Sequence, residues 1–390
     1  MDSFSKAEKH GGTTASNDES ASIRVATTVE DLRAIQRFKY EVYVEEMGRY
    51  AGVADHQRRL LIEPDDDSSH NFLITVHGEL SATMRLTWGG DNALTERHID
   101  QYDLSGFLDH VALDQIVIGE RFMIAPVHRG GNLLMDMFTA YVEFVNDRRI
   151  QLIFGDCEPH LLNTYQALGF RTYTDRNVNS SETGYLIPLV IVAEDVEYMQ
   201  RIKSPLAAIS KDFGEEARVP ANIDALLARG FAVKSQRMDG QELFFSDFKT
   251  IAKQTNALDA GLFQGMGEDE IAICLEKSVI ITCRPGDRVI KKGNVAKNMA
   301  MVLSGTFEVR DGEKTLATIK PGEVFGEIAF FLKLPRTMDV VCAEQEATIV
   351  SFNDKTIRTL IESHSEAAAT LLYNVSSILC GRLKKTNELL

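Results

Sequence analysis

The sequence predicts an α+β protein, in which a mixed sheet with flanking helices comes first and a β-rich domain with terminal helices comes second. Apolar patterns typical of strands and of helices alternate from about residue 23 to residue 197. Short strand patterns separated by glycine turns follow from Arg284 onward. From Asn353 to Leu390 the apolar residues recur at helical spacing. A length of 390 residues is consistent with two to three domains.

Composition and charge exclude several classes of protein. With 44% hydrophobic and 25% charged residues, the chain has the composition of a globular protein. A net charge of −15 disfavours binding to nucleic acid or to anionic membranes. No apolar run approaches the ~20 residues that span a bilayer. The 5 cysteines are scattered and form no CxxC pair, so we expect a reduced, cytoplasmic protein without a metal site.

The chain divides into four predicted segments. Residues 1–20 are rich in Ser, Thr, Gly and acidic residues and predict a disordered tail. Residues 21–197 are the first domain. Residues 198–260 are polar, with breaks at Pro205 and Pro220, and predict a helical connector. Residues 261–390 are the second domain.

The first domain begins with a short strand at Ile23, after which Thr28 is suited to cap a helix over Val29–Tyr43. His77-Gly78 lies between two alternating patterns and predicts a β-hairpin. The other predicted elements, with the hairpin strands first, are Phe72–Val76, Leu80–Leu86, strand Ile116–Ile124, a loop from Pro126 to Asn132, a helix from Leu133 to about Asn146, strand Leu152–Asp156, helix His160–Leu168 and the extended segment Phe170–Tyr173.

The second domain is predicted to consist mainly of strands. Arg284–Gly293 has the pattern of a turn, a strand and a second turn. Met299–Val309 alternates around Ser304-Gly305, which predicts two paired strands joined by a glycine turn. Lys320–Glu323 predicts a turn into the next segment. The residues after Asn353 predict two helices.

The stretch from Phe325 to Val340 combines groups that recognise a nucleotide with one phosphate. Gly326 lets the backbone approach a ligand closely because it has no Cβ. The amides after it open a short helix and attract anions, while Arg336 can donate two hydrogen bonds to a phosphate. Glu327 is a poor phosphate ligand but a good acceptor for sugar hydroxyls. One anion, one diol and apolar surroundings predict such a nucleotide.

This stretch resembles the phosphate-binding cassette of cyclic-nucleotide-binding domains, which implies that the second domain is a β-roll. The matching residues are Phe325, Gly326, Glu327, Ala329, Pro335, Arg336 and Val340. The resemblance implies that Glu327 binds the ribose 2′-hydroxyl and that Arg336 and nearby amides bind the cyclic phosphate. The residues implied to bind the nucleotide are Gly326, Glu327, Ile328, Ala329, Arg336 and Thr337. The effector is cAMP or cGMP, and Thr337 keeps both open.

Two stretches of the first domain resemble motifs of the GNAT acyltransferases. Thr164–Phe170 resembles the family's Leu-Tyr-x-x-Leu-Gly-Phe signature, which implies that Tyr165 protonates the departing thiolate as a general acid. His128–Leu134 lies where the family carries Arg-x-x-Gly-x-Gly, although Asn132 and Leu134 replace its glycines. The residues implied to hold the pantetheine phosphate are Arg129, Gly130, Gly131 and Asn132.

Other stretches resemble the GNAT branch of autoinducer synthases and, more closely, N-acyl amino acid synthases. They are Phe38–Gly48, Asp65–Asp67 before His70, Met84–Leu86 and Gly119–Phe122. That branch takes long acyl chains from acyl carrier protein. The resemblance implies that Arg85, Glu120 and Arg121 form a buried polar cluster at the acyl-transfer site, where Glu120 helps to deprotonate an amine. An acidic carrier would require Arg121, Arg129, Arg148 and Arg149 to form a local basic patch.

Together these resemblances predict a cyclic-nucleotide-regulated N-acyltransferase. The acyl donor is a coenzyme A thioester or an acyl carrier protein, and the acceptor is an amine. The thioester carbonyl is expected between strands Ile116–Ile124 and Leu152–Asp156, with amides near Phe122–Ile124 polarising its oxygen. Two alternatives remain: a non-catalytic cyclic-nucleotide receptor with a degenerate GNAT scaffold, and a cAMP-regulated protein lysine acetyltransferase. No metal is expected, and the chain is a possible homodimer.

Overall fold

The structure is a computed structural model, and it describes residues 21–180, 182–209, 219–220, 222–228, 232–258, 261–295, 297–343 and 345–388. The predicted tail at residues 1–20 lies outside these described residues. Within them, no helix has the length and apolar character needed to cross a membrane. The predicted α+β class is confirmed, because a large mixed sheet with helices precedes a β-roll.

The first domain is built on a seven-stranded sheet with the strand order β1-β2-β3-β4-β5-β7-β6. Its strands are β1 (Ala21–Val25), β2 (His70–Val76), β3 (Glu79–Trp88), β4 (Ile116–Ile124), β5 (Leu152–Cys157), β6 (Val178–Ser180) and β7 (Gly184–Val192). Its helices are α1 (Val29–Lys39), α2 (Glu96–Gln101), α3 (Ser105–Leu108), α4 (Leu133–Asp147) and α5 (Leu162–Leu168).

Several local predictions for this domain are confirmed. The Thr28 side chain accepts a hydrogen bond from the Asp31 amide and caps α1. His77 and Gly78 have φ angles of 53° and 83°, and positive φ at both central residues is the geometry of a type I′ hairpin turn. Helix α1 does not continue to Tyr43, because the chain changes to a π-helix over Tyr40–Glu46.

Strands β4 and β5 are parallel but pair over only three residues each. The ladder joins Ile116–Ile118 to Leu152–Phe154. Beyond it, β4 pairs on its other side with β3, and β5 pairs on its other side with β7. The two strands therefore separate at their carboxyl ends, where the thioester is expected to bind. Helix α4 packs one apolar face, including Met137, Phe138 and Tyr141, into the core of this domain.

The segment between the domains is mostly helical but contributes one strand. Its elements are α6 (Val196–Arg201), α7 (Leu206–Ile209), α8 (Ile223–Leu227), β8 (Val233–Ser235), α9 (Gln236–Asp239) and α10 (Gln241–Gln254). Strand β8 pairs antiparallel with the first strand of the second domain. The predicted connector is thus joined to the second domain by backbone hydrogen bonds as well as by the chain.

The second domain folds into two facing sheets, with the strand orders β10-β15-β12-β13 and β14-β11-β16-β9-β8. Its strands are β9 (Val279–Cys283), β10 (Arg288–Ile290), β11 (Asn298–Ser304), β12 (Phe307–Asp311), β13 (Lys314–Ile319), β14 (Val324–Phe325), β15 (Asp339–Cys342) and β16 (Ala347–Asn353). Its helices are α11 (Glu268–Cys274), α12 (Glu327–Leu332), α13 (Asp354–Ser363) and α14 (Ser365–Asn387).

Two strand predictions are corrected. Strands β11 and β12 are consecutive but belong to different sheets, so the turn at Gly305 carries the chain between sheets instead of closing a hairpin. Gly305 has φ +70°, and a Cβ there would lie 2.5 Å from the Cβ of Ala347. The predicted extended segment Phe170–Tyr173 forms only an isolated bridge from Arg171 to Val190.

The two domains share one apolar core and several polar contacts. Buried residues of α4, β7, β9 and β11 belong to one hydrophobic cluster. The Asn294 side-chain amide donates to the carbonyl of Thr183 (3.1 Å), and the Val295 amide donates to the carbonyl of Met47 (3.2 Å). The residues that contact the first domain here, 294 and 295, lie beside the predicted nucleotide cassette, because Val295 also forms a bridge to Pro335.

Candidate functional sites

The turn of the nucleotide cassette requires glycine at position 326. Gly326 has φ +78° and lies between β14 and α12. A Cβ at this position would lie 2.6 Å from a guanidinium nitrogen of Arg336 and 2.9 Å from Cδ1 of Ile290. Both the backbone angle and the space therefore exclude a side chain. The turn brings Gly326 and Arg336 together across 10 residues, as the sequence pattern implied.

Arg336 is a buried cation surrounded by neutral acceptors. It is 7% exposed, and its guanidinium donates to the carbonyls of Gly326 (2.6 Å) and Asn298 and to Oδ1 of Asn298 (3.0 Å). Burial lowers the pKa of Arg336 to about 10, although the charges of Glu327 and Glu158 oppose this shift. The guanidinium still remains charged at neutral pH. An anionic ligand would compensate this charge directly.

Glu327 is covered by the last helix of the chain. Its side chain is buried, and Oε1 accepts a hydrogen bond from Arg382 of α14 at 2.6 Å. Arg382 also donates to the carbonyl of Val324. Helix α14 thus lies over the carboxylate that the resemblance assigns to the ribose. Of the other implied ligands, Ala329 is buried, whereas Ile328 and Thr337 are exposed.

A small cavity beside Arg336 lies where the two domains meet. The cavity beside Arg336 has a volume of about 10 Å³, whereas a small-molecule pocket has roughly 300 Å³ or more. Its wall combines Asn298, Phe325 and Arg336 with two residues of the first domain, Pro159 and Tyr185. A nucleotide does not fit into this volume, so its binding requires residues of this wall to move.

Pro159 lies in the short connection between β5 and α5. Residues Pro159–Leu161 form one 3₁₀ turn directly after Glu158. The Glu158 carboxylate forms an ion pair with Arg49 at 2.8 Å, and both side chains are largely buried. We name residues 157–161 the β5–α5 loop. It leads from the parted strand β5 to the nucleotide pocket within a few residues.

The predicted polar cluster exists and is larger than the sequence indicated. Arg85 donates to Glu120 (2.8 Å) and to Asp66 (3.2 Å). Lys39, which is 1% exposed, donates to Asp66 (2.6 Å) and to Glu63 (2.9 Å). Burial opposes ionisation of Glu120, but the charges of Arg85 and Arg121 outweigh it and lower its pKa to about 2. These buried charges therefore compensate one another.

Arg121 lies in a β-bulge of β4. Two residues of β4, Arg121 and Phe122, lie opposite the single residue Met84 of β3, because the pairing shifts between Thr83↔Met123 and Arg85↔Glu120. Arg121 has φ +55°, which is rare for a residue with a side chain. Two hydrogen bonds from its Nε to Glu63 (3.0 and 2.9 Å) help to hold this conformation. Bulges often lie next to active sites, where they redirect backbone groups.

A cleft opens where β4 and β5 part. It has a volume of about 490 Å³, and its wall includes Tyr50, Arg97, Glu120, Arg121, Asp156 and Arg176. The Tyr102 hydroxyl lies 3.1 Å from Oε1 of Glu120 and 3.0 Å from Oδ2 of Asp156. Sequence reasoning did not single out Tyr102 or Asp156. The cleft is large enough for a small acceptor molecule.

Tyr165 lies on α5, close to the carboxyl end of β5. Its ring packs edge-to-face against Phe170, with the ring centres 5.2 Å apart. Burial, and then the neighbouring Cys157 and Asp156, raise the pKa of Tyr165 above its usual value. The hydroxyl therefore keeps its proton at neutral pH and can donate it. Helix α5 follows β5 after one short turn, so Tyr165 and Asp156 lie on consecutive elements of the chain.

The predicted phosphate loop is only partly arranged as a cradle. Gly130 has φ +83°, but Asn132 is helical with φ −79° and directly precedes α4. Arg129 donates to both carboxylate oxygens of Glu46, so a phosphate would compete with an ion pair. Leu134 packs against the apolar core. The loop lies where it was predicted, but its cation, Arg129, is already paired with Glu46.

The predicted basic patch is not formed. Arg129 precedes α4, whereas Arg148 and Arg149 follow it, and a helix of 15 residues is about 22 Å long. Arg148 instead stacks on Phe144, with 3.8 Å from its guanidinium carbon to the ring centre. Arg121 is bound to Glu63. These four arginines therefore do not offer one surface to an acidic carrier.

One group of side chains has the spacing of a metal site: Asp65, His98 and Glu120. Arg85 already supplies a cation there, since its Nη2 lies 2.8 Å from Glu120 and 3.8 Å from Asp65. His98 accepts a hydrogen bond from the Thr95 amide (3.1 Å), which uses one of its ring nitrogens. The group is therefore better described as part of the ion-pair network.

Each part of the chain is similar to known proteins. The family model of the cyclic nucleotide-binding domain matches residues 280–364, which confirms the assignment of the second domain. Cyclic nucleotide-gated channel beta-3 of Mus musculus is 30% identical over 168 residues, or 40% of this chain and 24% of that protein. The L-ornithine N(alpha)-acyltransferase of Rhodobacter capsulatus is 28% identical over 149 residues, or 35% of this chain and 56% of that protein.

A solved structure also resembles the chain. A CoA-dependent acyl-homoserine lactone synthase is 16% identical, with a TM-score of 0.36, and the match covers 49% of this chain and 98% of that one. The chain spans about a quarter of the channel and just over half of the ornithine acyltransferase.

The Arg336 side chain should dominate nucleotide affinity. We expect Arg336→Ala to weaken cyclic-nucleotide binding by about 2–4 kcal/mol, because it removes the charge partner of the phosphate. This is roughly a 30- to 1,000-fold increase in Kd for cAMP or cGMP, measured by calorimetry. Arg336→Lys keeps the positive charge but cannot donate the paired hydrogen bonds of a guanidinium. It therefore distinguishes loss of these hydrogen bonds from loss of the folded structure. Arg358→Ala, an exposed arginine of α13, is the control. Unchanged affinity for both nucleotides in Arg336→Ala would show that the cassette assignment is wrong.

Proposed function

We propose that the chain is a cyclic-nucleotide-regulated N-acyltransferase. It moves an acyl group from a pantetheine thioester, carried by coenzyme A or by acyl carrier protein, to an amine. One observation carries this proposal: β4 and β5 part beside a buried ion-pair network, and β5 leads directly into the helix that contains Tyr165. The relative named as an L-ornithine N(alpha)-acyltransferase supports an amino acid as the acceptor.

The geometry supports a direct transfer in one site. The thioester lies between the parted strands, and the bulge at Arg121 and Phe122 directs a backbone amide to its carbonyl oxygen. The amine attacks the carbonyl carbon from the cleft. Glu120, Arg121 and Arg85 fix the charge around this cleft, and Tyr165 protonates the sulfur as the C–S bond breaks. The pantetheine phosphate is held by Arg129, Gly130, Gly131 and Asn132. To bind it, Arg129 must first break its ion pair with Glu46.

Regulation is supported by the position of the cavity beside Arg336, whose wall includes residues of both domains. A nucleotide can change activity only if it binds two arrangements of the protein unequally. Pro159 forms part of the wall of the small cavity beside Arg336, so we expect nucleotide binding to favour an arrangement in which the β5–α5 loop has moved. The same loop follows Asp156 and leads into the helix of Tyr165. Nucleotide binding therefore changes the position of groups in the acyl-transfer site.

The donor should be a long-chain thioester. Phe122 of β4 and Leu134 of α4 are partly buried and pack against the apolar core beside the parted strands, and each methylene of an acyl chain buried there would stabilise binding by roughly 0.8 kcal/mol. We expect decanoyl-coenzyme A or decanoyl acyl carrier protein to bind at least about tenfold more tightly than acetyl-coenzyme A and to yield N-decanoyl-ornithine with L-ornithine. Calorimetry measures the binding and mass spectrometry the product.

Two variants test the physical reason for this preference. Leu134→Ala should reduce the preference for the long chain, whereas Leu113→Ala, a similar change at an exposed position, should not. If acetyl-coenzyme A bound tightly and long-chain donors did not bind, the predicted preference for long-chain donors would be wrong. Absence of any acylated amine with every donor would contradict the proposed function.

Coupling between the two sites should be reciprocal. If nucleotide binding moves the β5–α5 loop, saturating cAMP or cGMP should change donor affinity by about 1–3 kcal/mol, or several-fold to about 100-fold. Linkage requires saturating donor to change nucleotide affinity by the same factor. Calorimetric titrations of each ligand, with and without the other, measure both factors. Identical affinities in all four titrations, with unchanged turnover, would contradict regulation.

A further inference from the structure

Two carboxylates face the cleft between β4 and β5, and their surroundings differ. Glu120 receives a hydrogen bond from Arg85 at 2.8 Å and lies within the ion-pair network. Asp156 receives its hydrogen bond from the neutral hydroxyl of Tyr102 at 3.0 Å and pairs with no cation among the described residues. A hydroxyl has a single proton, so Tyr102 donates to only one of the two carboxylates at a time.

The surroundings separate the pKa values of these carboxylates. The pKa of Glu120 is about 2, because Arg85 and Arg121 outweigh the effect of burial. Burial and the nearby charges of Glu120 and Glu158 raise the pKa of Asp156 to about 6, against the opposing effects of Arg121 and Tyr102. When neighbouring carboxyls are separated in this way, the one with the higher pKa is suited to proton transfer near neutral pH.

We propose that Asp156 is the group that takes the proton from the attacking amine, while Glu120 remains an ionised partner of Arg85. Three observations support this assignment. Asp156 lies at the carboxyl end of β5, where the strand has left β4, and it forms part of the wall of the cleft. Its strand also leads, through one short turn, into the helix of Tyr165, the proposed donor to the sulfur. This inference depends on the proposed acyltransfer.

The protons of the step are balanced by Asp156, Tyr165 and solvent. The amine nitrogen forms a bond to the thioester carbon, and the carbonyl electron pair moves to oxygen. Asp156 accepts the proton that the nitrogen loses. The oxygen electron pair then re-forms the carbonyl, the C–S bond breaks, and the sulfur takes the proton of Tyr165. The products are an amide and a thiol, and the excess proton passes from Asp156 to restore Tyr165 through solvent.

The pH dependence of turnover tests Asp156. With decanoyl-coenzyme A and L-ornithine, activity of the wild-type chain should rise with pH around pH 6, because Asp156 must be ionised to accept a proton. General-base catalysis contributes roughly 10²–10⁴-fold, so Asp156→Asn should lower kcat by about 10²-fold or more and remove the rise near pH 6. Its donor affinity should stay within about threefold, because Asp156 faces the amine. Asp156→Glu should restore part of the activity and the rise with pH.

Glu120→Gln distinguishes the two carboxylates. The charge of Glu120 raises the pKa of Asp156, so its removal should keep the rise in activity and move it to lower pH. Asp109→Asn, the same change at an exposed aspartate, should leave the profile unchanged. An Asp156→Asn variant that keeps both its kcat and the rise near pH 6 overturns the inference, as does a Glu120→Gln variant that loses the rise. A wild-type chain that acylates no amine overturns the proposed function as well.

Discussion

The short parallel ladder between β4 and β5 is the constraint on which both candidate sites depend. Only three residues of β4 pair with three residues of β5. Beyond them, β4 remains paired with β3, and β5 remains paired with β7. This arrangement exposes backbone and side chains at the parted ends without breaking the sheet. On β4 the exposed part contains the bulge at Arg121, and on β5 it contains Asp156. The next residues of β5 lead to Pro159 at the nucleotide pocket.

Buried arginines in the two domains show opposite states of charge compensation. Arg85 and Arg121 are bound to buried carboxylates, so their removal would leave uncompensated negative charge. Arg336 donates to neutral oxygens, and its pKa is lowered to about 10. The first pair therefore stabilises a fixed arrangement. Arg336 is suited to gain from an anion, and this difference agrees with a structural role for Arg85 and Arg121 and with the ligand-binding role that we propose for Arg336.

The sequence was most informative where partners lie close together in the chain. Gly326 and Arg336 are 10 residues apart, and Thr28 caps a helix through Asp31. The site residues that were missed, Glu63, Tyr102 and Asp156, have distant partners. Arg121 and Glu63 are 58 residues apart, and Tyr102 and Asp156 are 54 apart. Such pairs depend on how the strands are ordered in the sheet, which one sequence does not specify.

Other features were missed because their local pattern is ambiguous. Strand β7 is buried along its whole length and contains Pro188, so it shows neither alternation nor a clear boundary. The π-helix after Lys39 follows the same apolar spacing as an ordinary helix over its first turn. The position of Pro159 in the wall of the cavity beside Arg336 depends on the packing of two domains, and no motif within either domain encodes it.

The central claim is that one loop connects the two sites, and hydrogen–deuterium exchange of the full chain tests it most directly. Exchange would be followed at residues 157–161 with and without saturating cAMP or cGMP, with strand β2 as the internal reference. Displacement of Pro159 by the nucleotide predicts faster exchange of the amides of the β5–α5 loop and unchanged exchange in β2. Unchanged exchange in the loop, in a sample where calorimetry shows the nucleotide bound, would contradict the account.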